Sequence, residues 1–160
     1  VVRVIGIDPG LANTGWGIIE TDGIRFKYIN HGTITTTTEL PSNLRLKDLY
    51  NKLSEVIKEY KPSNAGIETL YFAKNVSSAL PVAQARGVQL LALGNMGIKT
   101  GEYTPIQIKQ AVVGNGRATK KQVQDMVKLL LKLKTVPKPD HAADALAAAI
   151  CHVHSVRGNV

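Results

Sequence analysis

Apolar residues fall into short β-branched runs at the start of the chain and into stretches of helical spacing later on. Val1-Val2-Arg3-Val4-Ile5-Gly6-Ile7 is nearly continuous and β-branched, as a buried strand is, and Asp8-Pro9-Gly10 ends it with turn chemistry. Asp8 is thereby expected at the C-terminal end of a strand. Gly15 to Glu20 and Ile24 to Thr35 predict two further strands, joined through Thr21-Asp22-Gly23, whose Asp-Gly pair suits a hairpin turn. The three together read as an antiparallel meander. Leu46, Leu49, Tyr50, Leu53, Val56 and Ile57 then recur at helical spacing, in a helix that Ser42 or Asn43 can cap and that ends before Lys61-Pro62.

Ala65-Gly66-Ile67-Glu68 predicts a strand returning to the sheet, which puts a second carboxylate, Glu68, near a strand end. Val76 to Leu93 is helical in pattern, with Pro81 tolerable in the first turn or at a kink. Ile98 to Thr104 supplies a fifth strand, Pro105 opens a short helix, and Gly114-Asn115-Gly116 breaks the chain before a helix over Thr119–Leu133. Asp140 is suited to cap an Ala-rich final helix from His141 to about His154. This order is mixed α/β, a meander extended by helical crossovers. It predicts a ribonuclease H-like fold, a five-stranded mixed sheet flanked by helices, in one domain spanning residues 1–160.

Charge adds a partner to this picture. Twenty Lys and Arg against 12 Asp and Glu leave a net charge of +8, an excess that favours a polyanion and first of all nucleic acid. Much of it lies between Lys99 and Lys138, where Lys99, Lys109, Arg117, Lys120, Lys121, Lys128, Lys132, Lys134 and Lys138 face only Glu102 and Asp125. For any single lysine of that run, a solvated helical face is the plainer reading. The apolar stretches Val88–Leu93 and Ala145–Ile150 fall far short of the ~20 residues that span a bilayer, and no signal sequence precedes Val2. A cytoplasmic protein without membrane contact is expected. Cys151, the single cysteine, reads as a small apolar residue in a helix.

Candidate chemistry comes from three distant segments. Asp8 and Glu68 stand at strand ends, while His141 and Asp144, three apart, share one helix face and can point to those ends. Carboxylates crowded in a poorly hydrated site repel unless a cation intervenes, and oxygen ligands suit Mg²⁺ or Mn²⁺. Two such ions ~3.5–4 Å apart can activate water and stabilise the leaving oxygen of a phosphodiester. Taken singly, each residue has an ordinary role: Asp8 in a turn, Glu68 at an exposed strand end, Asp144 at a helix dipole, His141 on a surface.

Five blocks in one order change those weights: Asp8-Pro-Gly with Gly15-Trp-Gly, Glu68-Thr-Leu-Tyr-Phe-Ala-Lys-Asn75, Gln84-Ala-Arg-Gly87, Gly114-Asn-Gly-Arg-Ala-Thr-Lys120 and His141-Ala-Ala-Asp-Ala-Leu146. From about residue 2 to residue 155 the chain resembles the RuvC family. The resemblance implies a homodimer that binds four-way junction DNA and resolves it by paired, symmetry-related nicks, with a branch-migration motor as a further candidate partner. It places the family's acids on Asp8, Glu68 and Asp144, and its fourth position, commonly Asp, on His141; Asp140 is the alternative for that position. It also implies that Tyr71 stacks at the junction centre, that Lys109 and Lys120 face scissile phosphates, and that Lys74, Arg86, Arg117 and Lys121 are weaker candidates for backbone contacts. Arg86 has a structural alternative, since its block lies in the helix expected near the dimer interface. Two other functions fit the same fold and charge: a non-catalytic junction-binding protein, or a ribonuclease H-like nuclease acting on RNA–DNA hybrids or single strands.

Overall fold

The structure is a computed structural model, and it describes residues 1–69 and 76–157. Its elements run β1 (Val2–Asp8), β2 (Asn13–Thr21), β3 (Phe26–Thr35), α1 (Ser42–Tyr60), β4 (Asn64–Glu68), α2 (Val76–Asn95), β5 (Lys99–Tyr103), α3 (Pro105–Val113), α4 (Lys120–Leu130) and α5 (Asp140–Arg157). The five strands form one sheet in the order β3-β2-β1-β4-β5. β1, β2 and β3 pair antiparallel, as the meander requires, and β4 and β5 join parallel to β1 and to each other. The hairpin turn is closed by Asp22, whose Oδ1 accepts from the backbone N–H groups of Ile24 and Arg25, and Gly23 takes the positive φ that such a turn needs.

Alternation along the strands gives the sheet two buried faces. Ile5, Ile7, Ile18 and Ile67 pack with Leu49, Leu53 and Ile57 of α1 and with Leu93 of α2. Val4 and Ile19, on the other face, pack with Ile108 and Val112 of α3, Val123 and Val127 of α4, and the buried side of α5. Cys151 is buried in this second layer as an unpaired thiol. No helix among the described residues is long and apolar enough to cross a membrane.

Three local expectations are corrected. The cap of α1 is Pro41, with no side-chain cap bond, so Ser42 and Asn43 are already helical; the chain enters through the extended backbone of a proline rather than through a polar cap. Pro81 is the sixth residue of α2 and so lies beyond its first turn. Helix α5 begins at Asp140 itself, one residue earlier than expected, and the Asp140 carboxylate accepts from Gln124 Nε2 at 3.2 Å and lies 3.4 Å from Lys120 Nζ. Its partners are on α4.

The placement of α5 is the feature on which the site depends. Ala142, Ala143, Ala145, Ala147, Ala148 and Ala149 are all buried, and this alanine-rich helix lies on β1 and β2 with almost no side chain between the backbones. Gly6 and Gly15 supply the matching gap. A methyl group on Gly6 would overlap the Ala145 carbonyl oxygen and stand 2.7 Å from Ala149 N, and one on Gly15 would overlap the carbonyl oxygen of His141. Because the obstacle is backbone, α5 would have to move as a unit. Gly6→Ala is therefore expected to cost about 3 kcal/mol in urea unfolding, at the upper end for overpacking.

Candidate active site

Strand register brings the first two acids together. β1 and β4 pair in parallel with Ile7 opposite Ile67, so Asp8 and Glu68, the next residues on each strand, emerge side by side at one end of the sheet. Close docking of α5 brings its first turn over that end. His141 Nδ1 lies 3.0 Å from Asp8 Oδ2, and Asp144 faces the same cluster one helical turn further on. Asp8 is the most enclosed of the paired groups, with 14% of its side chain exposed, whereas His141 is 48% exposed.

The acids are in electrostatic conflict. Burial, followed by the charges of Asp8 and Asp144, pushes Glu68 up to about 7, and the closeness of the Asp8 carboxyl adds to the rise. Burial and the nearby Asp8 push Asp144 up to about 6. Asp8 is raised as well, by burial, with the hydrogen bond from His141 working against the rise. Lys120 supplies part of the counter-charge: its Nζ stands 3.9 Å from Asp144 Oδ2, and Asp144 is the main reason its own pKa is raised.

Local sequence explains where that lysine sits. Thr119 and Gln122 form a reciprocal capping box that fixes the start of α4 one residue before Lys120, and buried Val123 and Val127 set the face the helix turns inward. A second box, Thr104 with Gln107, does the same for α3, with Pro105 in its first turn. Lys109 on α3 then joins Glu68, Asp144 and Lys120 around a cavity of about 240 Å³ floored by Ile108 and Val123. A wider cleft of about 470 Å³ opens on the other side of Asp8 and His141, lined by the loop Pro9–Asn13, Thr38, Arg45, Pro81 and Val82.

The structure thus gathers Asp8, Glu68, His141, Asp144, Lys109 and Lys120. Arg117 and Lys121 are exposed near the start of α4, and Tyr71 and Lys74 lie outside the described residues. Among the described residues, no three His, Cys, Asp or Glu side chains converge on one ion position as they stand. The carboxyls are turned instead to each other, to His141 and to Lys120. Asp140 is held by Lys120 and Gln124 rather than by the cluster. Arg86 has the partners that its structural alternative calls for: its guanidinium pairs with Glu102 of β5, and its Nε donates to the Glu68 carbonyl oxygen at 3.3 Å. Buried guanidinium groups take such partners because an unpaired charge is costly there. Arg45 was not singled out by the sequence, because a lone arginine on a helix carries no motif.

A mixed five-stranded sheet of this order, with acids at adjacent strand ends and on the helix across them, is a ribonuclease H-like protein. Residues 4–152 match the family described as Crossover junction endodeoxyribonuclease RuvC, and the chain belongs to that family. It is 57% identical over 151 residues to the Treponema denticola protein of that name, covering 94% of this chain and 85% of that one. The Alkaliphilus metalliredigens relative is 51% identical, with 95% and 93% covered. Among solved structures, Thermus thermophilus RuvC in complex with Holliday junction substrate superposes with a TM-score of 0.94 at 32% identity, over 99% of this chain and 97% of that one.

The raised carboxyls make a prediction about the fold itself. A group whose pKa is higher folded than unfolded binds extra protons in the native state, so the stability linked to it is present at low pH and lost as pH rises through the folded value. With divalent cations chelated, the melting temperature should therefore fall as pH rises through about 6 to 7, where Asp144 and Glu68 ionise. Glu68→Gln should flatten that slope in a pH series of thermal melts.

Proposed function

We propose that this chain is a structure-selective endodeoxyribonuclease that resolves Holliday junctions by paired, symmetric nicks, through metal-dependent hydrolysis of phosphodiester bonds. The observation that carries this reading is the meeting of Asp8, Glu68 and Asp144 beside Lys109 and Lys120, in a member of a family whose Thermus relative has been seen on junction DNA. We read residues 1–160 as one nuclease domain acting in the cytoplasm.

The donor set suits a hard divalent cation: three carboxyls, two of them pushed well above their usual range by burial and by the neighbouring carboxylates, and one imidazole. Asp8, Glu68, His141 and Asp144 would hold Mg²⁺ or Mn²⁺, two ions per site, after the carboxyls turn from each other toward the ions. Such ions supply the charge that makes water nucleophilic at neutral pH and that stabilises the leaving oxygen. Lys109 and Lys120 offset the negative charge that grows on the scissile phosphate, and Asp144 and Asp140 keep the Lys120 ammonium at hand until substrate arrives. Asp8 fixes the His141 ring through Nδ1, which leaves Nε2 open to the cleft to take a metal or a proton. Tyr71 stacks on an opened base at the junction centre, while Lys74, Arg117 and Lys121 follow the backbone.

Symmetric nicks need two copies of the site. On α2, Leu80, Gln84, Gly87, Leu91 and Gly94 form one exposed stripe, with two large leucines and two glycines that nothing among the described residues covers. We place the homodimer contact on this stripe. A branch-migration motor is a candidate further partner on the DNA.

The decisive assay sets the protein with Mg²⁺ or Mn²⁺ against a mobile four-way junction beside duplex, RNA–DNA hybrid and single-stranded controls. Paired nicks confined to the junction are expected; binding without cutting points to a non-catalytic junction protein, and preferential cutting of a control to another nuclease. Asp8→Asn, Glu68→Gln and Asp144→Asn should each lower single-turnover cleavage at least ~10³-fold while leaving junction affinity within a few-fold, because the basic surface is untouched. His141→Asp replaces a neutral nitrogen with a hard anionic oxygen and should raise the rate with Mg²⁺ relative to Mn²⁺. Unchanged rates, metal preference and pH profile in His141→Ala would make His141 a bystander.

A further inference from the structure

We infer that the cleft around Arg45 is a second phosphate subsite, which holds the cleaved strand where it leaves the acid cluster on the side away from Lys109 and Lys120. The inference rests on the proposed nuclease reading and extends it to a part of the surface that reading does not use. A strand whose scissile phosphate lies at Asp8 must continue in both directions. On one side it meets the cavity of Lys109 and Lys120; on the other it meets the 470 Å³ cleft in which Arg45 stands across from Asp8 and His141.

Arg45 is built into this cleft. It is half-buried on α1, its Nε donates to Thr36 Oγ1 at 3.3 Å, and that buried hydroxyl donates in turn to the Leu11 carbonyl oxygen at 2.5 Å, which ties the arginine to the loop following Asp8. Among the described residues, no carboxylate pairs with its guanidinium. The other two buried or half-buried arginines of the sheet layer differ in this respect: Arg3 pairs with Glu20 and Arg86 with Glu102. An arginine that served packing alone would be expected to take a carboxylate as they do. Among the described residues, the two terminal nitrogens of Arg45 have no acceptor, and their planar fork matches two phosphate oxygens. The charged and titratable groups facing this cleft are Arg45, His141 and Asp8. The carboxylate belongs to the acid cluster, so among the described residues the outer part of the cleft offers an anion a cation with no competing carboxylate.

The test uses the full chain and a four-way junction in which each phosphate flanking the scissile one is replaced in turn by a neutral methylphosphonate. Binding and single-turnover cutting are measured across a salt series for the wild type, Arg45→Gln and Arg45→Lys. Loss of one phosphate contact should lower the log–log salt slope of Arg45→Gln by about 1 and weaken binding on the order of tenfold, while Arg45→Lys keeps the slope. One flanking methylphosphonate should weaken the wild type by a similar factor and leave Arg45→Gln unaffected at that position. If the wild type cuts junctions and Arg45→Gln keeps both its salt slope and its methylphosphonate profile, losing only thermal stability, Arg45 is a strut and the inference falls alone. A wild type that neither binds nor cuts four-way DNA overturns the nuclease reading, and this inference with it.

Discussion

Everything at the candidate site depends on how closely one helix approaches one sheet. Most helices stand off from a sheet by the length of their side chains, and α5 does not: the backbone of Ala145 and Ala149 meets Gly6 of β1, that of Ala148 meets Gly66 of β4, and that of His141 meets Gly15 of β2. The contact gives up the apolar area that larger side chains would bury, and in exchange it fixes α5 against shift and rotation, since a close-packed contact of this kind has no neighbouring arrangement to slip into. His141 and Asp144 are thereby located relative to Asp8 by main-chain geometry. Parallel pairing of β1 with β4 does the same for Glu68. The site is assembled by backbone contacts, and flexible side chains enter only at its rim, in Lys109 and Lys120.

That rigidity forces a charge problem that the fold does not resolve alone. Three carboxyls are held where burial and mutual repulsion disfavour ionisation, and the available relief, the His141 contact and Lys120, is partial. A protein selected only for stability would replace one of these acids with an amide or an apolar residue. Keeping all three costs stability locally, a cost that the proposed cation-binding role would account for.

Much of this was legible from the chain. The β-branched runs, the Asp-Gly turn and the helical spacing of Leu49, Leu53 and Ile57 located the strands and α1 to within about two residues, because hydrophobic periodicity is a local signal that the final packing also uses. Asp8 and Glu68 could be placed at strand ends, but only the register shows that the two ends are neighbours. Caps were read less well. Ser42 has the right chemistry for a cap, yet the chain turns one residue earlier at Pro41, and Asp140 is drawn to Lys120 and Gln124 by tertiary contacts that no local rule contains. The partners of Arg45 and Arg86 were hidden for the same reason: an arginine's partner is chosen by what lies across the fold, and sequence distance does not reveal it.

Arg86 has a consequence for how such a protein could be controlled. Its side chain fastens the carbonyl of Glu68 and the carboxylate of Glu102 to α2, and Gly87, the next residue, belongs to the exposed stripe of that helix. One acid of the cluster is therefore moored to the inner side of a helix whose outer side faces away from the chemistry. A shift of α2 would therefore be carried through this guanidinium to the Glu68 strand end without any contact to the acids themselves, so what is pressed on the outer side of the helix is felt at the far side of the sheet.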